Sequence, residues 1–265
     1  MTVTLGANSD YFGRVKAVVP GLVGRRVYRD DGTLPEVWPG TQEGSAGNFW
    51  PGQRVIYSVR PDPTELIAGN LDAQVRALVA TAPPGACLTS YHEAGALDHG
   101  QAYSSVSHQA MRDVHIRMHD LCQGSNVAYG TITCGPPAQM YRWVPGPGYP
   151  MDWYGVDIWD GPNWRADASA PLNVPALHAR LDQNLQYAQN GSGQAHPVLH
   201  VPETNSQYPA KRAEWLECIA EWMSQNGGQI MCTHWDADGP LSGDFPVSDE
   251  VLIAALNEIV AQYGS

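Results

Sequence analysis

Short apolar runs alternate with amphipathic stretches from one end of the chain to the other. Eight of the runs are rich in Val, Ile, Thr and Tyr and are bounded by turn-forming residues, a pattern typical of β-strands. The predicted strands are TVTLGA from Thr2, RRVYR from Arg25, RVIYSVR from Arg54, ACLTSYHE from Ala86, VAYGTIT from Val127, WYGVDIW from Trp153, PVLHVPE from Pro197 and QIMCTHW from Gln229. They span the whole chain.

Helical signals occupy the segments between these strands. Asp62-Pro63 precedes TELIAGNLDAQVRALVATA, and Ser248-Asp249-Glu250 precedes VLIAALNEIVAQY, so each helix is predicted to begin at a short polar cap with early acidic residues. A third helix, AKRAEWLECIAEWMSQNGG, is predicted to end at Gly227-Gly228. Its apolar face comprises Ala213, Leu216, Ile219, Ala220 and Met223.

Strands that alternate with helices predict an α/β fold, and eight such repeats predict a (β/α)8 TIM barrel. The main competing architecture is an open doubly wound sheet, which would carry a Gly-x-Gly-x-x-Gly phosphate loop after its first strand. The segment GANSDYFG does not match that motif. A length of 265 residues suits one barrel, so residues 1–265 are predicted to form a single domain.

Composition narrows the set of partners. Only 16% of the residues are charged, whereas the chain contains 9 Trp and 12 Tyr, so exposed aromatic side chains are expected in a ligand cleft. The formal net charge is −12 and no cluster of Lys and Arg occurs, which argues against nucleic acid, anionic membranes and polyanionic substrates as partners. We expect a monomer or weak oligomer that uses no cofactor and no metal.

Cysteine usage and the chain's first residues bear on its compartment. The five cysteines lack the Cys-x-x-Cys spacing of a zinc or redox site, so most are expected to be buried thiols, with room for one disulfide in an oxidising medium. The segment MTVTLGANSD has no basic region followed by an apolar run, and no stretch of about 18 apolar residues occurs. A soluble chain without an export signal is expected. The sequence is compatible with a cytosolic enzyme, a trimmed secreted domain or a virion component.

Polar and aromatic residues stand where the predicted strands end. In a TIM barrel the C-terminal ends of the strands meet at one mouth, where the active sites of such enzymes lie. Simple solvation would favour Lys and Glu there, but this set is poor in Lys and rich in His, Trp and carboxylates, which favours a functional site. The residues are Asn8, Arg60, His92, Glu93, Asp157, Trp159, Glu203, His234, Trp235 and Asp236.

Two glutamates are the strongest catalytic candidates. Glu93 ends the fourth predicted strand and Glu203 ends the seventh, so both are expected at one rim of the barrel. Such a pair suits cleavage of a glycosidic bond, because one carboxyl group protonates the leaving oxygen while the other attacks the anomeric carbon. We expect the two carboxyl groups to lie about 5 Å apart, a separation that predicts retention of the anomeric configuration.

Several motifs, in their order and spacing, resemble the retaining glycoside hydrolases with catalytic carboxylates on strands 4 and 7, most nearly the family 26 mannanase group. The resemblance runs from about Arg54 to Asp236. VIYSVRPD, IAGNLDAQV and SYHEAG are similar to that family's third strand, its next helix and its His-Glu fourth strand. WVPGPGYPMDWYGVDIWDG resembles its Pro-Gly loop and Val-Asp sixth strand, and HPVLHVPETNSQYPAKRAEW resembles its nucleophile strand with the helix that follows.

The resemblance implies a role for three residues. Glu93 would be the acid/base, Glu203 the nucleophile, and His92 a substrate-binding or pKa-tuning neighbour. The implied activity is hydrolysis of a polysaccharide or oligosaccharide by two displacements, with endo action expected. The sugar and the linkage stay open.

Other residues are predicted to bind substrate. Trp235 could plug the barrel or form a sugar-stacking platform, and the platform is favoured, since an aromatic ring matches the CH-rich face of a sugar. Asp157 and Trp159 are expected to contact the sugar or to orient Glu203, with a packing role as the alternative for Trp159. Asn8 and Arg60 are further substrate-binding candidates. Tryptophans predicted to line the groove are Trp143, Trp159, Trp164 and Trp235.

The histidines outside the His-Glu motif have a structural interpretation. His200 lies three residues before Glu203 and is predicted to point into the barrel layers or toward the mouth as a neutral hydrogen-bonding group with a structural role. His108, His115 and His119 share one face of the helix VSHQAMRDVHIRMHDL. A metal site there is the weaker interpretation, because that helix is expected on the barrel exterior.

Two other function classes compete with the glycosidase. One is a non-catalytic carbohydrate-binding barrel or adhesin, against which the presence of both glutamates argues. The other is a metal-dependent barrel hydrolase. Such an enzyme would be expected to carry a His-x-His pair on its first strand, and TVTLGA lacks it. The candidate metal ligands would be His92, His99, His200, His234 and a carboxylate.

Overall fold

The computed structural model describes residues 3–8, 19–29, 32–38, 54–92, 106–134, 142–146, 149–233 and 250–264. Eight strands lie within these ranges, and each overlaps one of the predicted strands. They are β1 (Thr4–Asn8), β2 (Gly24–Arg29), β3 (Arg54–Val59), β4 (Ala86–Ser90), β5 (Val127–Cys134), β6 (Trp153–Asp160), β7 (Leu199–Ser206) and β8 (Gly228–Thr233).

Helices follow most of these strands, as the alternating pattern predicts. Within the described ranges they are α1 (Pro63–Ala68), α2 (Asp72–Ala80), α3 (His108–Cys122), α4 (Val174–Ser192), α5 (Arg212–Asn226) and α6 (Glu250–Tyr263). A short 3-10 turn, Pro209–Lys211, leads directly into α5.

Each strand pairs in parallel with its neighbours in the sequence, and β8 pairs with β1 to close the sheet into a barrel. At the closure Thr4 lies opposite Ile230, and Gly6 lies opposite Cys232. The predicted (β/α)8 TIM barrel is therefore confirmed. Because all eight strands point the same way, their C-terminal ends surround one mouth.

The alternation of side chains along the strands divides the core into two layers. On β3, Val55, Tyr57 and Val59 face the helices, whereas Ile56 faces the barrel interior. The helix-facing layer is the larger, and burial of each large apolar side chain there contributes roughly 1.5–3 kcal/mol. The interior layer comprises Ile56, Cys87, Ile132, Trp153, Ile230 and Cys232.

The predicted helix after Asp62 is two helices in the structure. Asp62 caps α1 as expected, because its Oδ1 accepts hydrogen bonds from the backbone N–H groups of Thr64 and Glu65 at 2.8 and 3.0 Å. The chain then leaves the helix at Gly69, whose φ of 86° is a left-handed conformation that glycine adopts without strain. The Gly69-Asn70 pair is the sequence signal for this break.

The helix α5 buries the face that its apolar spacing predicts. Leu216, Ile219, Ala220 and Met223 are fully buried, while Ala213 is half-buried. The helix ends at Gly227, where φ is 79°. α6 likewise falls on its predicted segment.

Two further findings concern the chain as a whole. None of the helices in the described ranges has the length and apolar character needed to cross a bilayer. All five cysteines lie within those ranges, none of them is joined in a disulfide, and four of them are buried. The half-buried one, Cys134, ends β5 at the barrel mouth.

Candidate functional site

The mouth of the barrel collects the described members of the predicted site. Arg60, His92, Asp157 and Trp159 follow or end the strands β3, β4 and β6 at this end of the barrel. Asn8 and Glu203 belong to β1 and β7 by their backbones, and their side chains fall outside the description. Outside the described residues altogether are Glu93, His99, His234, Trp235 and Asp236.

The chain turns sharply where β4 ends. Tyr91, two residues before Glu93, has a φ of 49°, and it is the one non-glycine residue with positive φ in the described ranges. The conformation is costly for a bulky residue and persists only where surrounding contacts hold it, typically at a functional site. Here the Tyr91 ring is buried and its hydroxyl donates to the carbonyl oxygen of Pro61.

His92 is buried at the mouth and is bonded to Arg60. Its side chain is 6% exposed, and Arg60 Nη2 lies 3.3 Å from His92 Nε2. A guanidinium group can only donate, so Nε2 must be the acceptor and the ring must carry its proton on Nδ1. His92 is thus neutral in this geometry, and it can act as a hydrogen-bonding group rather than as a charged one.

Two residues of β2 complete this side of the mouth. The guanidinium carbon of Arg26 lies 4.7 Å from the centre of the Tyr28 ring, and that ring lies 5.2 Å from the ring of His92. Arg26 is fully buried. Neither residue is among those predicted from the sequence. The segment GRRVYR contains a signal for Arg26, because successive side chains of a strand face opposite ways and one of two adjacent arginines must point into the barrel. A buried charge is tolerated there only with a partner or a function.

The opposite side of the mouth contains a cavity of about 170 Å³ between the ends of β5 and β6 and the helix α4. Trp159 is 37% exposed there, one of the three most exposed large apolar side chains among the described residues. Asp157 is 2% exposed, so its carboxylate is almost wholly removed from solvent. The polar and aromatic lining comprises Cys134, Asp157, Trp159, Asn163, Trp164 and Arg180.

Of the predicted groove tryptophans that the structure describes, only two line the cavity. Trp159 and Trp164 line the cavity, although Trp164 is just 8% exposed and donates its indole N–H to the Trp159 carbonyl at 2.8 Å. The prediction for Trp143 is wrong, because its ring is 6% exposed and packs edge-on against His108 at 4.3 Å. Abundant tryptophan therefore serves the core as well as the surface.

The strand β7 contains a β-bulge at Pro202-Glu203. On its β6 side the register runs from Gly155–His200 to Ile158–Thr204, so β7 uses one residue more than β6. On its β8 side the register runs from Val201–Met231 to Thr204–Thr233, which again leaves one extra residue in β7. Both ladders therefore place the extra residue at Pro202 or Glu203. Bulges re-aim side chains and occur preferentially beside active sites.

Gly155 and Pro202 account for part of this bulge. A Cβ atom on Gly155 would lie 2.9 Å from Pro202 Cγ and 3.0 Å from Ile132 Cγ1, so only glycine allows the close approach of β6 and β7 here. Pro202 has no N–H to donate to the ladder, and prolines inside sheets are confined to edges, first residues and bulges.

A neutral hydrogen-bonded network lies behind the end of β4, between the barrel and α3. The Ser90 and Tyr129 hydroxyl oxygens are 2.5 Å apart, and the Tyr129 hydroxyl lies 2.8 Å from His115 Nδ1. All three side chains are buried. Burial lowers the pKa of His115 from 6.5 to about 3 and raises the pKa of Tyr129, so both groups are uncharged near neutrality.

A charged network lies behind the end of β7. Ser206 donates to Asp160 Oδ2 at 2.7 Å, and Arg165 Nε lies 2.9 Å from the same carboxylate oxygen. The Asp160 and Arg165 side chains have no exposed surface. Burial alone would lower the pKa of Arg165, but its bonds to the Asp160 and Glu214 carboxylates raise it above the ordinary value. The Arg165 guanidinium group is therefore charged, and it forms a buried ion pair with Asp160.

The histidines of α3 do not converge on one point. His115 belongs to the network behind β4, His108 packs against Trp143, and His119 Nε2 lies 3.4 Å from Asp152 Oδ1. Over the described ranges no group of three or more His, Cys, Asp or Glu side chains is arranged to hold a metal ion.

His200 lies in the barrel interior, as predicted. It is 2% exposed, its ring lies 5.0 Å from that of Trp153, and burial lowers its pKa to about 3. Its neutral ring fits the predicted structural role. The metal-dependent hydrolase hypothesis loses two candidate ligands, because His92 bonds to Arg60 and His200 packs in this interior layer.

Comparison with known sequences provides no assignment. No family model matches the chain, and no curated protein matches it.

Solved structures with the same architecture do exist. A GH5 xyloglucan-specific endo-beta-1,4-glucanase from a metagenomic library, in complex with cellotriose, has a TM-score of 0.64 at 12% identity, covering 97% of this chain and 96% of its own. A GH5-4 broad specificity endoglucanase from Clostridium acetobutylicum has a TM-score of 0.65 at 11% identity, covering 98% and 99%. Cel5A of Thermotoga maritima, in complex with mannotriose, has a TM-score of 0.61 at 9% identity, covering 97% of each chain. At these identities the similarity establishes the fold.

Proposed function

We propose that the protein is a retaining glycoside hydrolase that cleaves a polysaccharide or oligosaccharide with Glu93 and Glu203. The observation that carries the proposal is the backbone geometry beside the two glutamates. Tyr91 adopts a positive φ of 49° two residues before Glu93, and the β7 bulge includes Glu203 or its neighbour Pro202. Each candidate thus follows or occupies an irregularity at the C-terminal end of a barrel strand, the location of catalytic groups in this fold.

The reaction needs two displacements. Glu203 attacks the anomeric carbon while Glu93 gives its proton to the glycosidic oxygen, so the C–O bond to the leaving sugar breaks and a glycosyl-enzyme ester forms. Glu93, now a carboxylate, then takes a proton from water as that water attacks the anomeric carbon. The ester to Glu203 breaks, and both carboxyl groups return to their starting states.

Fold similarity supports a carbohydrate substrate. The similar solved structures include endoglucanases of family 5 with cellotriose and an enzyme with mannotriose. Family 5 and the family 26 group that the motifs resemble share a barrel of the GH-A clan of retaining glycosidases. We propose endo action on this chain by the same analogy, because an endoglucanase cuts within a polymer.

The cavity beside Trp159 suits one sugar ring of a neutral polymer. Trp159 offers an exposed aromatic face, and the cavity also carries one amide, Asn163, with one carboxylate and one guanidinium group, Asp157 and Arg180. Their opposite charges cancel, and all three groups can bind sugar hydroxyls. A net charge of −12 also disfavours a polyanionic chain.

Hydrolysis of a polysaccharide panel tests the proposal directly. Purified wild type is compared with Glu203→Gln, Glu93→Gln and a control, Glu258→Gln, which changes an exposed glutamate on α6. We expect Glu203→Gln to lower kcat by about 10,000-fold or more, and the control to match wild type. Glu93→Gln should still form the glycosyl-enzyme from an activated aryl glycoside, whose leaving group needs no proton, but should hydrolyse that intermediate slowly because the base is missing. Sugar binding without hydrolysis in wild type would instead establish the non-catalytic carbohydrate-binding barrel.

Alkylation of Cys134 tests the cavity separately from turnover. Cys134 lines the cavity and is half-buried, whereas the other four cysteines are at most 8% exposed, so iodoacetamide should modify Cys134 first. In the Glu203→Gln variant, cellotriose or mannotriose should slow this modification, as followed by mass spectrometry. Protection by trigalacturonic acid alone would contradict a neutral ligand.

A further inference from the structure

The backbone of β7 is fixed on the C-terminal side of its bulge by a buried indole. Trp215, on α5, donates its Nε1–H to Thr204 Oγ1 at 2.8 Å, and both side chains are completely buried. Thr204 is the residue directly after Glu203. Its hydroxyl faces the helix layer, as does Val201, although two residues three apart on a regular strand would face opposite ways. The bulge therefore determines which face Thr204 presents, and the indole bond holds it there.

A second set of bonds holds the chain two residues further on. The Ser206 hydroxyl donates to Asp160 Oδ2 at 2.7 Å, and the Ser206 carbonyl accepts from Arg212 Nε at 3.3 Å. Asp160 is itself held by Arg165 at 2.9 Å within a fully buried ion pair. The hydroxyl and the carbonyl of Ser206 are thus bound to different elements, β6 and α5. Displacement of this segment would break several buried polar contacts together.

We propose that Thr204 and Ser206 are positioning residues for Glu203, acting through Trp215 and Asp160 respectively. A bulged residue lacks regular ladder bonds, so its position depends on the contacts made by its neighbours. The two anchors lie one and three residues after Glu203, and they fix the strand from its helix-facing side. They therefore set the position of the nucleophile without touching substrate. The inference rests on the proposed function, because it assigns these residues to the attack by Glu203.

The test compares two tryptophans of the same helix. Trp215→Phe keeps an aromatic ring and removes the bond to Thr204. Trp222→Phe is the matched control, because Trp222 is also buried on α5 and donates its Nε1–H at 2.9 Å to Asp182, away from the end of β7. We expect Trp215→Phe to lower kcat by about 10- to 100-fold with KM changed less than about twofold, the range expected from a small misplacement of a reacting group. Trp222→Phe should leave both constants near wild type.

Substitutions at Thr204 show whether the hydroxyl is the responsible group. Thr204→Val keeps the side-chain shape and removes the acceptor, so kcat should fall as in Trp215→Phe. Thr204→Ser keeps the hydroxyl and should restore kcat to within about threefold of wild type. Burst kinetics with an activated aryl glycoside should show slower formation of the glycosyl-enzyme in Thr204→Val, because attack by Glu203 is the affected step. The Ser206→Ala variant should slow the same step.

The outcomes separate this inference from the proposed function. Equal kcat values for Trp215→Phe and Trp222→Phe, or a Thr204→Val variant with unchanged burst rate, would overturn the positioning role while Glu203→Gln remained inactive. A parallel change in KM would also contradict it, since the anchors do not reach substrate. If Trp215→Phe fails to fold, the comparison of kcat between Thr204→Val and Thr204→Ser still tests the positioning role. A wild type that cleaves no glycoside would overturn both proposals together.

Discussion

The ends of β4 and β7 are each held by a buried hydrogen-bonded network, but only the network behind β7 is charged. Behind each strand, the hydroxyl of its last residue enters a buried network: Ser90 bonds to Tyr129 and through it to His115, and Ser206 bonds to Asp160 and through it to Arg165. The first network contains no charge, whereas the second contains a buried ion pair. Protonation should destabilise the neutral network, whereas loss of either charge should destabilise the ionic network.

The ends of β4 and β7 also differ at the barrel mouth, where substrate would bind. β4 is followed by Tyr91 in a left-handed conformation and then by His92, which is bonded to Arg60 at the mouth. β7 contains a bulge, and Thr204 and Ser206 are held on its helix-facing side by Trp215 and Asp160. Substitutions at the front of β4 should therefore alter binding and pH dependence, while substitutions behind β7 should alter kcat and stability.

The largest expected effect is loss of the buried ion pair. Arg165→Met keeps much of the side-chain length but leaves the Asp160 carboxylate buried without its cation, which should lower the free energy of unfolding by about 3–5 kcal/mol. Urea denaturation followed by tryptophan fluorescence measures the change. A double variant, Arg165→Met with Asp160→Asn, should recover part of the loss. A loss below about 1 kcal/mol in the single variant would show that the charge behind β7 is dispensable.

Acidification should act on the neutral network and on the barrel interior. His115 and His200 have pKa values near 3 in the folded protein and about 6.5 when unfolded, so the unfolded chain binds more protons between these values. Their contribution is therefore present above about pH 6.5 and is lost as pH falls towards 3. Each histidine should lower the unfolding free energy by roughly 2 kcal/mol between pH 7 and pH 5. Urea denaturation of His115→Gln at both pH values should show a smaller decrease than wild type.

Removal of one hydroxyl should have an intermediate effect on the β4 network. Tyr129→Phe deprives both Ser90 and His115 of their buried partner, which should cost about 1–3 kcal/mol of stability. Thermal unfolding monitored by circular dichroism measures it. Loss comparable to that of Arg165→Met would erase the distinction drawn between the two networks.

The smallest expected effect lies at the exposed edge of the ionic network. Glu214 accepts from Arg165 Nη1 at 3.2 Å, but its side chain is 43% exposed, so water screens the interaction. Glu214→Gln should change the unfolding free energy by less than about 1 kcal/mol. The same urea titration at low and high salt would detect the residual electrostatic part. A large loss would mean that Glu214, and not Asp160, is the main partner of Arg165.

The sequence predicted the fold because its signals are repeated and local. Eight short β-rich runs with helices between them define the barrel, and the apolar face of α5 follows from residue spacing alone. The break at Gly69 was missed because the apolar spacing continues across it, so the two helices look like one. Trp143 was misplaced since composition counts aromatic residues without showing which ones the core uses.

Site geometry was harder to predict because it depends on contacts between distant segments. Nothing in LTSYHE marks Tyr91 as left-handed, since the sequence has no glycine or asparagine there. The bulge in β7 had one signal, Pro202 inside a strand, which could have been interpreted as a local irregularity. Arg26 and Tyr28 could have been found by extending the list of strand ends to β2. The Trp215–Thr204 bond joins a helix to a strand and has no signature in sequence spacing.

The stereochemistry of the first-formed product shows whether Glu203 attacks the anomeric carbon directly. Proton NMR of wild-type hydrolysis, recorded before the sugar mutarotates, distinguishes the two anomers. Direct attack by Glu203, with the two carboxyl groups about 5 Å apart, predicts a product with the anomeric configuration of the substrate. An inverted first product would require a water molecule between carboxylate and sugar, and it would contradict the assignment of Glu93 and Glu203 as acid/base and nucleophile.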